Sequence, residues 1–200
     1  MGPKRSLPVL FVGLVVGMSY GPLATPSAAA GLTQCTTTMT WPTTIPGNLI
    51  VPQGATCSLD GVTVTGSVDV ERGASLFTDT DSVTHTVPTT IDRNLTSAGY
   101  EDNLKYLNVV GNVTIAGATG PFAAFKDGEV GGTAVFASNA ATLAAGAAGT
   151  IFGGNVDLAG NTSAVFVGNS VARNLNCADN GSLLYSGNTF SPGSHVSGCT

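Results

Sequence analysis

Apolar and polar residues alternate in short runs that return along the chain about every 20 residues. The clearest copy is residues 109–115, Val-Val-Gly-Asn-Val-Thr-Ile, and residues 64–70, 152–158 and 171–177 follow the same template. Alternation with a period of two is typical of a β-strand with one buried face. A sequence repeat of this length is typical of a solenoid. The pattern therefore predicts short strands stacked in successive coils.

The first residue of the Gly-Asn pair in the template, or of the pair that replaces it in other copies, such as Arg-Asn, marks equivalent points of successive copies, which we call anchors. The anchors fall at residues 47, 66, 93, 111, 132, 154, 173 and 192. Successive anchors are 18 to 22 positions apart, except for one interval of 27. One copy cannot bury its own apolar side, whereas neighbours stacked in register form a continuous core. We therefore predict an all-β, single-domain parallel β-helix (β-solenoid) of seven to eight coils with a 19–22-residue period, covering residues 31–200 with a longer excursion at 77–108.

The alternation also assigns the two faces of each strand. The predicted inward set is Val64, Val68, Val70, Val109, Val113, Ile115, Phe152, Val156, Leu158, Val171 and Leu175. Five of the eight anchors are glycines, and they are expected to give the permissive or left-handed backbone of a bend. Asparagine follows the anchor as Asn48, Asn94, Asn112, Asn155 and Asn174. Stacked amides can hydrogen-bond along a rod and satisfy the backbone of its turns, so we interpret these asparagines as a structural ladder.

Residues 1–30 have the three parts of a secretory signal peptide. Lys4 and Arg5 form the charged region, residues 7–18 form the apolar region, and three alanines at 28–30 precede a cleavage site at Gly31. The apolar region is shorter than the roughly 20 residues that span a bilayer. We expect the segment to be removed and the mature chain to be secreted or associated with the cell wall, with no membrane anchor.

Four cysteines, Cys35, Cys57, Cys177 and Cys199, lie beyond the predicted cleavage site. An even number of cysteines in an exported chain favours disulfides. The first two and the last two are each separated by 22 positions, close to one coil. Residues one coil apart lie about 4.8 Å from each other, and disulfides need a Cα separation of about 4.4–6.8 Å. We therefore predict the bonds Cys35–Cys57 and Cys177–Cys199, one near each end of the rod.

The charge balance excludes one class of partner. Without residues 1–30 the chain keeps five basic and twelve acidic residues, a formal net charge of −7. Nucleic-acid binding needs clustered lysine and arginine for phosphate contacts. The remaining cations are Arg72, Arg93, Lys105, Lys126 and Arg173, and no two of them are neighbours in sequence. We therefore expect no nucleic-acid partner and no attraction to anionic lipid.

Carboxylates are concentrated in one part of the chain. Eight of the twelve fall between Asp60 and Asp102. Carboxylate oxygens suit Ca²⁺, the one cofactor that the sequence suggests, and the candidate ligands are Asp69, Asp79 and Asp81. Aromatic rings can stack on sugars, and the candidate ligand-binding residues are Asp79, Asp81, Tyr100 and Tyr106. The alternative interpretation is an acidic, solvated stretch that keeps the rod soluble.

Residues 47–57, Gly-Asn-Leu-Ile-Val-Pro-Gln-Gly-Ala-Thr-Cys, and residues 61–66, Gly-Val-Thr-Val-Thr-Gly, carry a resemblance to known proteins. The chain resembles right-handed parallel β-helix proteins over roughly residues 45–200. These segments are similar to small secreted actinobacterial proteins of unassigned function. The resemblance implies the fold and no particular activity. Many parallel β-helix proteins act on acidic polysaccharides, so it keeps a lyase or glycosidase open as an alternative.

Two function classes follow. The first is a secreted, disulfide-stapled, non-enzymatic structural or binding module whose partner is cell-wall or extracellular glycan. The second is a carbohydrate-active enzyme that uses the carboxylates between Asp60 and Asp102, since a glycosidase needs two carboxylates a fixed distance apart. Neither His85 nor His195 has a Gly-x-Ser-x-Gly motif or a cysteine partner near it in sequence that would suggest nucleophilic catalysis. The sequence therefore favours the non-enzymatic module.

Overall fold

The computed structural model describes residues 31–78 and 87–199. Within these residues the chain forms 25 short β-strands and no helix, and therefore no helix that could cross a membrane. The strands make three parallel sheets, which we call A, B and C. Successive strands of the chain belong to A, B and C in turn, so three strands complete one coil. The predicted all-β parallel solenoid is confirmed, with about eight coils.

Sheet A consists of β1 (Leu32–Gln34), β4 (Asn48–Val51), β7 (Val68–Val70), β10 (Leu95–Ser97), β13 (Val113–Ala116), β16 (Ala134–Ala137), β19 (Val156–Ala159), β22 (Leu175–Ala178) and β25 (Val196–Ser197). Sheet B consists of β2 (Thr38–Thr40), β5 (Thr56–Asp60), β8 (Ser75–Thr78), β11 (Glu101–Lys105), β14 (Phe122–Lys126), β17 (Ala144–Ala148), β20 (Ser163–Val167) and β23 (Ser182–Ser186). Sheet C consists of β3 (Thr44–Ile45), β6 (Thr63–Val64), β9 (Thr89–Ile91), β12 (Leu107–Val109), β15 (Glu129–Val130), β18 (Ile151–Phe152), β21 (Ser170–Val171) and β24 (Thr189–Phe190).

The extra residues of the longest interval between anchors lie between β8 and β9. Residues 79–86 of that connection lie outside the described residues. The rest of the predicted excursion is regular, because β9, β10, β11 and β12 pair in parallel with the strands of neighbouring coils. The departure from the repeat is therefore a local insertion at one corner.

The core is the space between the three sheets. All eleven residues predicted to point inward are buried. The core also holds aromatic rings that the predicted inward set does not include. Phe125, Phe136 and Phe166 are fully buried, and Phe166 stacks on Phe152 with ring centroids 5.8 Å apart. Small inward side chains on the neighbouring strands of sheet B, such as the alanines at 123 and 145, leave the volume that these rings fill.

The anchor glycines have a different role from the one predicted. Only Gly47 among them has a left-handed backbone, with φ of 90°. At Gly111 a Cβ atom would lie 2.6 Å from the carbonyl oxygen of Arg93, the anchor of the preceding coil. At Gly154 a Cβ atom would collide with the carbonyl oxygen of Gly132. Glycine is needed here because consecutive coils approach closely, and not because the backbone is left-handed.

Most of the left-handed positions lie instead directly after the strands of sheets A and B. The residue after a sheet B strand has a positive φ in six coils: Gly61, Tyr106, Asp127, Gly149, Gly168 and Gly187. After sheet A strands, the same conformation occurs at Gly117, Ser138, Gly160, Asp179 and Gly198. These residues turn the chain from one sheet to the next, since a left-handed residue interrupts a strand without lengthening the corner.

The anchor asparagines form hydrogen bonds from coil to coil at the corner between sheets C and A. Asn94 Oδ1 accepts from Asn112 N at 2.9 Å, and Asn112 Oδ1 accepts from Thr133 N at 2.8 Å. Asn48, Asn155 and Asn174 accept in the same way from the next coil. Each amide thus satisfies a backbone donor of the following turn.

Two further asparagine ladders, formed by residues outside the anchors, lie inside the rod. At the corner between sheets A and B, Asn139 Nδ2 donates to Asn161 Oδ1 at 2.9 Å, and Asn161 Nδ2 donates to Asn180 Oδ1 at 3.0 Å. At the corner between B and C, Asn169 Nδ2 donates to Asn188 Oδ1 at 3.2 Å. Asn139, Asn161 and Asn169 are buried. Buried amides need partners, and stacking in register provides them.

Both disulfides join residues of adjacent coils. Cys35 is bonded to Cys57 with Cα atoms 5.4 Å apart, and Cys177 is bonded to Cys199 with Cα atoms 4.9 Å apart. This is the pairing predicted from the spacing of the cysteines by one coil. The bonds hold the first two coils together at one end of the rod and β22 to the segment after β25 at the other.

Candidate functional site

The outer face of sheet B carries a trough that runs along β17. This strand offers almost no side chain to the outer face, because Ala144 and Ala148 are small and half-buried and Gly146 between them is buried. They lie between the larger outward residues of β14 and β20. Together with Ala124 on β14 they form the floor of a depression of ≈290 Å³.

Larger side chains surround this floor. The ring of Phe122 is at one end of β14 and the side chain of Lys126 is at the other. Val165 of β20 forms the wall on one side, and Asn103 of β11 contributes an amide on the other. The trough therefore combines an aromatic surface, an apolar floor and polar groups. The backbone of β17 beneath it is already hydrogen-bonded to β14 and β20.

Two lysines lie side by side at the end of the trough. Lys105 and Lys126 are direct partners in the parallel pairing of β11 with β14, so their Cα atoms are one strand spacing apart, about 4.8 Å. Lys126 forms an ion pair with Asp127 at 3.7 Å. No two cations are neighbours in sequence, yet Lys105 and Lys126 are neighbours in space, because the distance in sequence between them is one coil.

The two candidate tyrosines do not converge. Tyr100 precedes β11 and Tyr106 follows it, so they stand at opposite corners of sheet B, roughly 20 Å apart at about 3.3 Å per residue. Tyr100 lines a separate depression of ≈420 Å³ at the corner between sheets A and B, together with Arg72 and Thr119. Both rings are about half exposed. Asp79 and Asp81, the other two candidates, lie outside the described residues.

The carboxylates between Asp60 and Asp102 are distributed around the rod. Asp69 is on the outer face of sheet A, Asp92 follows β9 of sheet C, and Glu101 is on the outer face of sheet B. Glu71, after β7, accepts a hydrogen bond from the backbone N–H of Gln53 at 2.8 Å. In the part of the chain that the structure describes, no three His, Cys, Asp or Glu side chains are grouped to hold a metal ion. Asp69 is the one candidate calcium ligand within that part, so the calcium site stays an untested prediction.

Asp102 points into the core. Its side chain is fully buried between Leu76 and Ala123 of the adjacent strands. Ser97 Oγ donates to its Oδ2 at 2.6 Å, while its Oδ1 has no hydrogen-bond partner in the described structure. Burial raises the pKa of this carboxyl to about 7; the Ser97 hydrogen bond opposes the rise and the charge of Glu101 adds to it. Partial burial also raises the pKa of Glu101. An inward carboxyl cannot reach a ligand on the outer face.

His195 lies in the last turn before β25, exposed, with its backbone N–H bonded to Asn174 Oδ1 at 3.0 Å. His85 lies outside the described residues. Comparison with known protein families, with curated protein sequences and with solved structures gave no match for this chain. The resemblance to secreted actinobacterial proteins therefore gains no support from these comparisons, and arguments about function rest on the geometry of the rod.

Proposed function

We propose that the mature chain is a secreted, non-enzymatic module that binds extracellular or cell-wall glycan on the outer face of sheet B. The observation that carries the proposal is the trough along β17, which offers Phe122 and an apolar floor beside polar groups. Sugar rings present C–H faces and hydroxyl edges, so a surface of this composition suits them. The trough is lined by no carboxylate, histidine or cysteine of the described residues.

Secretion is supported by the two disulfides, which persist in oxidising compartments outside the cytoplasm. The predicted signal peptide at residues 1–30 agrees with this. A rigid rod held at both ends presents its sheet faces without rearrangement, so little ordering entropy opposes binding. Residues for acid–base catalysis would have to converge on one face, and the described carboxylates between Asp60 and Asp102 are spread over several.

The proposal is tested with a glycan array on the oxidised chain beginning at Gly31, followed by product analysis on every glycan that binds. We expect saturable binding without cleavage. Binding should be lost when the trough is filled by Ala124→Leu and retained in Ala137→Leu, a matched change on the outer face of sheet A. Cleavage of a bound glycan would contradict the non-enzymatic part of the proposal, and an array with no binding would contradict the whole.

A further inference from the structure

The strand β23 is an edge strand of sheet B. Within the described residues it pairs with β20 on one side and with no strand on the other. We propose that this edge pairs in antiparallel orientation with β23 of a second copy of the chain. Two rods then join at these ends, through sheet B, into a dimer with two-fold symmetry.

The apolar interior is less well covered at this end than in the coil before it. Leu183 and Tyr185 occupy the positions that Ala164 and Phe166 occupy one coil earlier. The earlier pair is buried, whereas Leu183 and Tyr185 stay partly exposed although they pack against the core. Phe190 on β24 is partly exposed as well. A further strand beside β23 would therefore remove apolar surface from water.

Backbone donors are left over at the same end. In the interior ladders each asparagine donates its backbone N–H to the amide oxygen of the asparagine in the next coil, as Asn139 does to Asn161 and Asn169 does to Asn188. Asn180 and Asn188 are the last members of the two ladders, and they flank β23. The described chain has no further coil at these two corners to accept from them. The end of the rod thus has both apolar surface and hydrogen-bonding capacity for a partner.

The sequence around β23 is nearly the same in both directions. Residues 180–188 read Asn-Gly-Ser-Leu-Leu-Tyr-Ser-Gly-Asn, and the two directions differ only at Leu183 and Tyr185. In two antiparallel copies centred on Leu184, serine therefore faces serine and an apolar residue faces an apolar one. The equivalent residues of the preceding coil, 161–169, read Asn-Thr-Ser-Ala-Val-Phe-Val-Gly-Asn and lack this symmetry within the strand. An interface on a two-fold axis has to be self-complementary, and β23 meets that condition.

The free backbone groups of β23 suit the same register. Ser182 N donates to Thr162 O at 3.1 Å, so Ser182 is bonded to the preceding coil. Because the direction of the backbone groups alternates along a strand, those of Leu183 and Tyr185 point to the open edge. In the antiparallel pair centred on Leu184, Leu183 of one copy and Tyr185 of the other exchange N–H···O=C bonds in both directions. Two-fold symmetry then repeats these bonds on the other side of the axis.

The outer face of β23 also favours a second copy. Leu184 points outward and is 59% exposed. In this register it faces its own copy in a non-hydrogen-bonded pair, where side chains lie close together. No Asp, Glu, Lys or Arg occurs from residue 180 to residue 200, so the two ends do not repel each other. Edge strands that avoid pairing usually carry a charge or a proline, and β23 has neither.

The contact is confined to one sheet. β25 extends sheet A beyond the level of β23, because it lies on β22. The two rods therefore meet at an angle, with sheet B continuous between them. A two-fold contact uses the same edge of both copies, so it closes at a dimer and does not propagate. β23 contributes no residue to the trough, so the dimer does not depend on glycan binding.

The test is sedimentation velocity of the oxidised chain beginning at Gly31, over a range of micromolar concentrations. We expect monomer at the low end and dimer at the high end. Leu184→Lys removes the leucine contact and sets like charges opposite each other, so it should weaken the dimer at least about tenfold. Leu143→Lys adds the same charge at a leucine that is equally exposed, at 61%, beside β17. This control should dimerise like the unchanged chain.

Two further experiments test the register. Leu184→Glu alone should be monomeric, and an equimolar mixture of the Leu184→Lys and Leu184→Glu chains should regain the dimer because unlike charges then face each other. Leu184→Cys should give a disulfide-linked dimer on mild oxidation, since the two Cβ atoms are close. Ser182→Cys should not, because Ser182 faces Ser186 of the second copy. Thermal unfolding of every variant checks that the rod is intact.

Each outcome decides the proposal. A chain that is monomeric at every concentration would overturn it and leave the edge to a strand from a different protein. Oligomers larger than a dimer would indicate head-to-tail stacking and contradict the two-fold contact. A dimer that Leu184→Lys leaves unchanged, or charge variants that stay monomeric when mixed, would overturn the assignment of the contact to β23.

Discussion

At the scale of single residues, two kinds of position stand out: glycines where a Cβ atom would collide with the next coil, and a polar side chain that is buried in the apolar core. Asp102 is the clearest case of the second kind, a carboxyl inside an apolar core with one hydrogen bond, from Ser97. Such a group stays neutral in the folded chain until the pH approaches its raised pKa.

The stability of the fold should fall as the pH rises through the range that this carboxyl controls. The unfolded chain loses the proton near a pKa of 3.8, and the folded chain holds it until about 7. Between these values the unfolded state binds fewer protons, so the free energy of unfolding decreases with pH, by up to the order of 4 kcal/mol across the window, and then levels off.

Asp102→Asn removes the titrating group and keeps its shape. Urea denaturation from pH 4 to 8 should show the decrease in the natural chain and a much flatter profile in the variant, which should be the more stable protein at pH 8. Parallel profiles for the two proteins would show that Asp102 is not protonated in the fold.

Glycine is required for two different reasons in this fold, close approach of neighbouring coils and a left-handed backbone, and two substitutions compare them. In Gly154→Ala the new Cβ collides with the backbone of Gly132, so whole coils must move apart. In Gly117→Ala the backbone has φ of 77° and the Cβ meets nothing within 4 Å, so the cost is only that of a left-handed alanine, about 1 kcal/mol. Thermal unfolding should show a loss for Gly154→Ala at least twice that for Gly117→Ala. Equal losses would mean that coil spacing is not the constraint at the anchors.

At the scale of elements, adjacent strands are held by polar ladders as well as by the apolar core. The corner ladder of anchor asparagines is exposed, whereas the ladder of Asn139, Asn161 and Asn180 lies mostly inside. The interior ladder should contribute more, because hydrogen bonds are stronger and missing partners more costly where water is excluded.

This difference can be measured with two asparagine truncations. Asn161 Oδ1 accepts from the backbone and side chain of Asn139, and its Nδ2 donates to Phe136 O and Asn180 Oδ1. Asn161→Ala should therefore lower the free energy of unfolding by about 3 kcal/mol, and Asn155→Ala, which removes one exposed bond, by about 1 kcal/mol or less. Urea denaturation checks both values, and an equal effect would contradict the importance of the interior ladder.

The last strand depends on its disulfide more than on packing. The two residues of β25 are exposed, and the backbone after them is tied to β22 through Cys199 and Cys177. Replacing both cysteines by serine should let β25 separate from the rod. Hydrogen exchange of Val196 and Ser197 amides should then become fast, while amides of β13 and β16 keep their protection. Unchanged exchange at β25 would show that strand pairing alone holds it.

At the scale of the whole molecule, the sequence predicted the architecture because the alternation of apolar and polar residues in sheet A repeats with the period of a coil. The same reasoning located both disulfides. The trough could not be located in the same way. The connections that lead from sheet A to sheet B differ in length from coil to coil, so no anchor marks the strands of sheet B. The spacing of Lys105 and Lys126 by one coil was the available signal. The asparagines of the interior ladders carried a similar one, because they too recur once per coil.

The ends of the three sheets also bear on the behaviour of the rod in solution. Within the described residues, sheet A has nine strands, and sheets B and C have eight. A second copy whose β1 paired with β25 would leave β23 and β24 without partners, so head-to-tail stacking cannot satisfy all three edges together. A stepped end of this kind opposes edge-to-edge aggregation.

The central claim is that sheet B, and no other face, is the binding surface. The most direct measurement is an NMR titration of the oxidised chain with a glycan that binds on the array, following the ε-CH₂ signals of lysine and the methyl signals of alanine. We predict that Lys105 and Lys126 shift together with Ala124, Ala144 and Ala148, and that Ala137 and Ala159 on sheet A do not move. Saturable shifts confined to another face, or no shifts at millimolar ligand, would contradict the account.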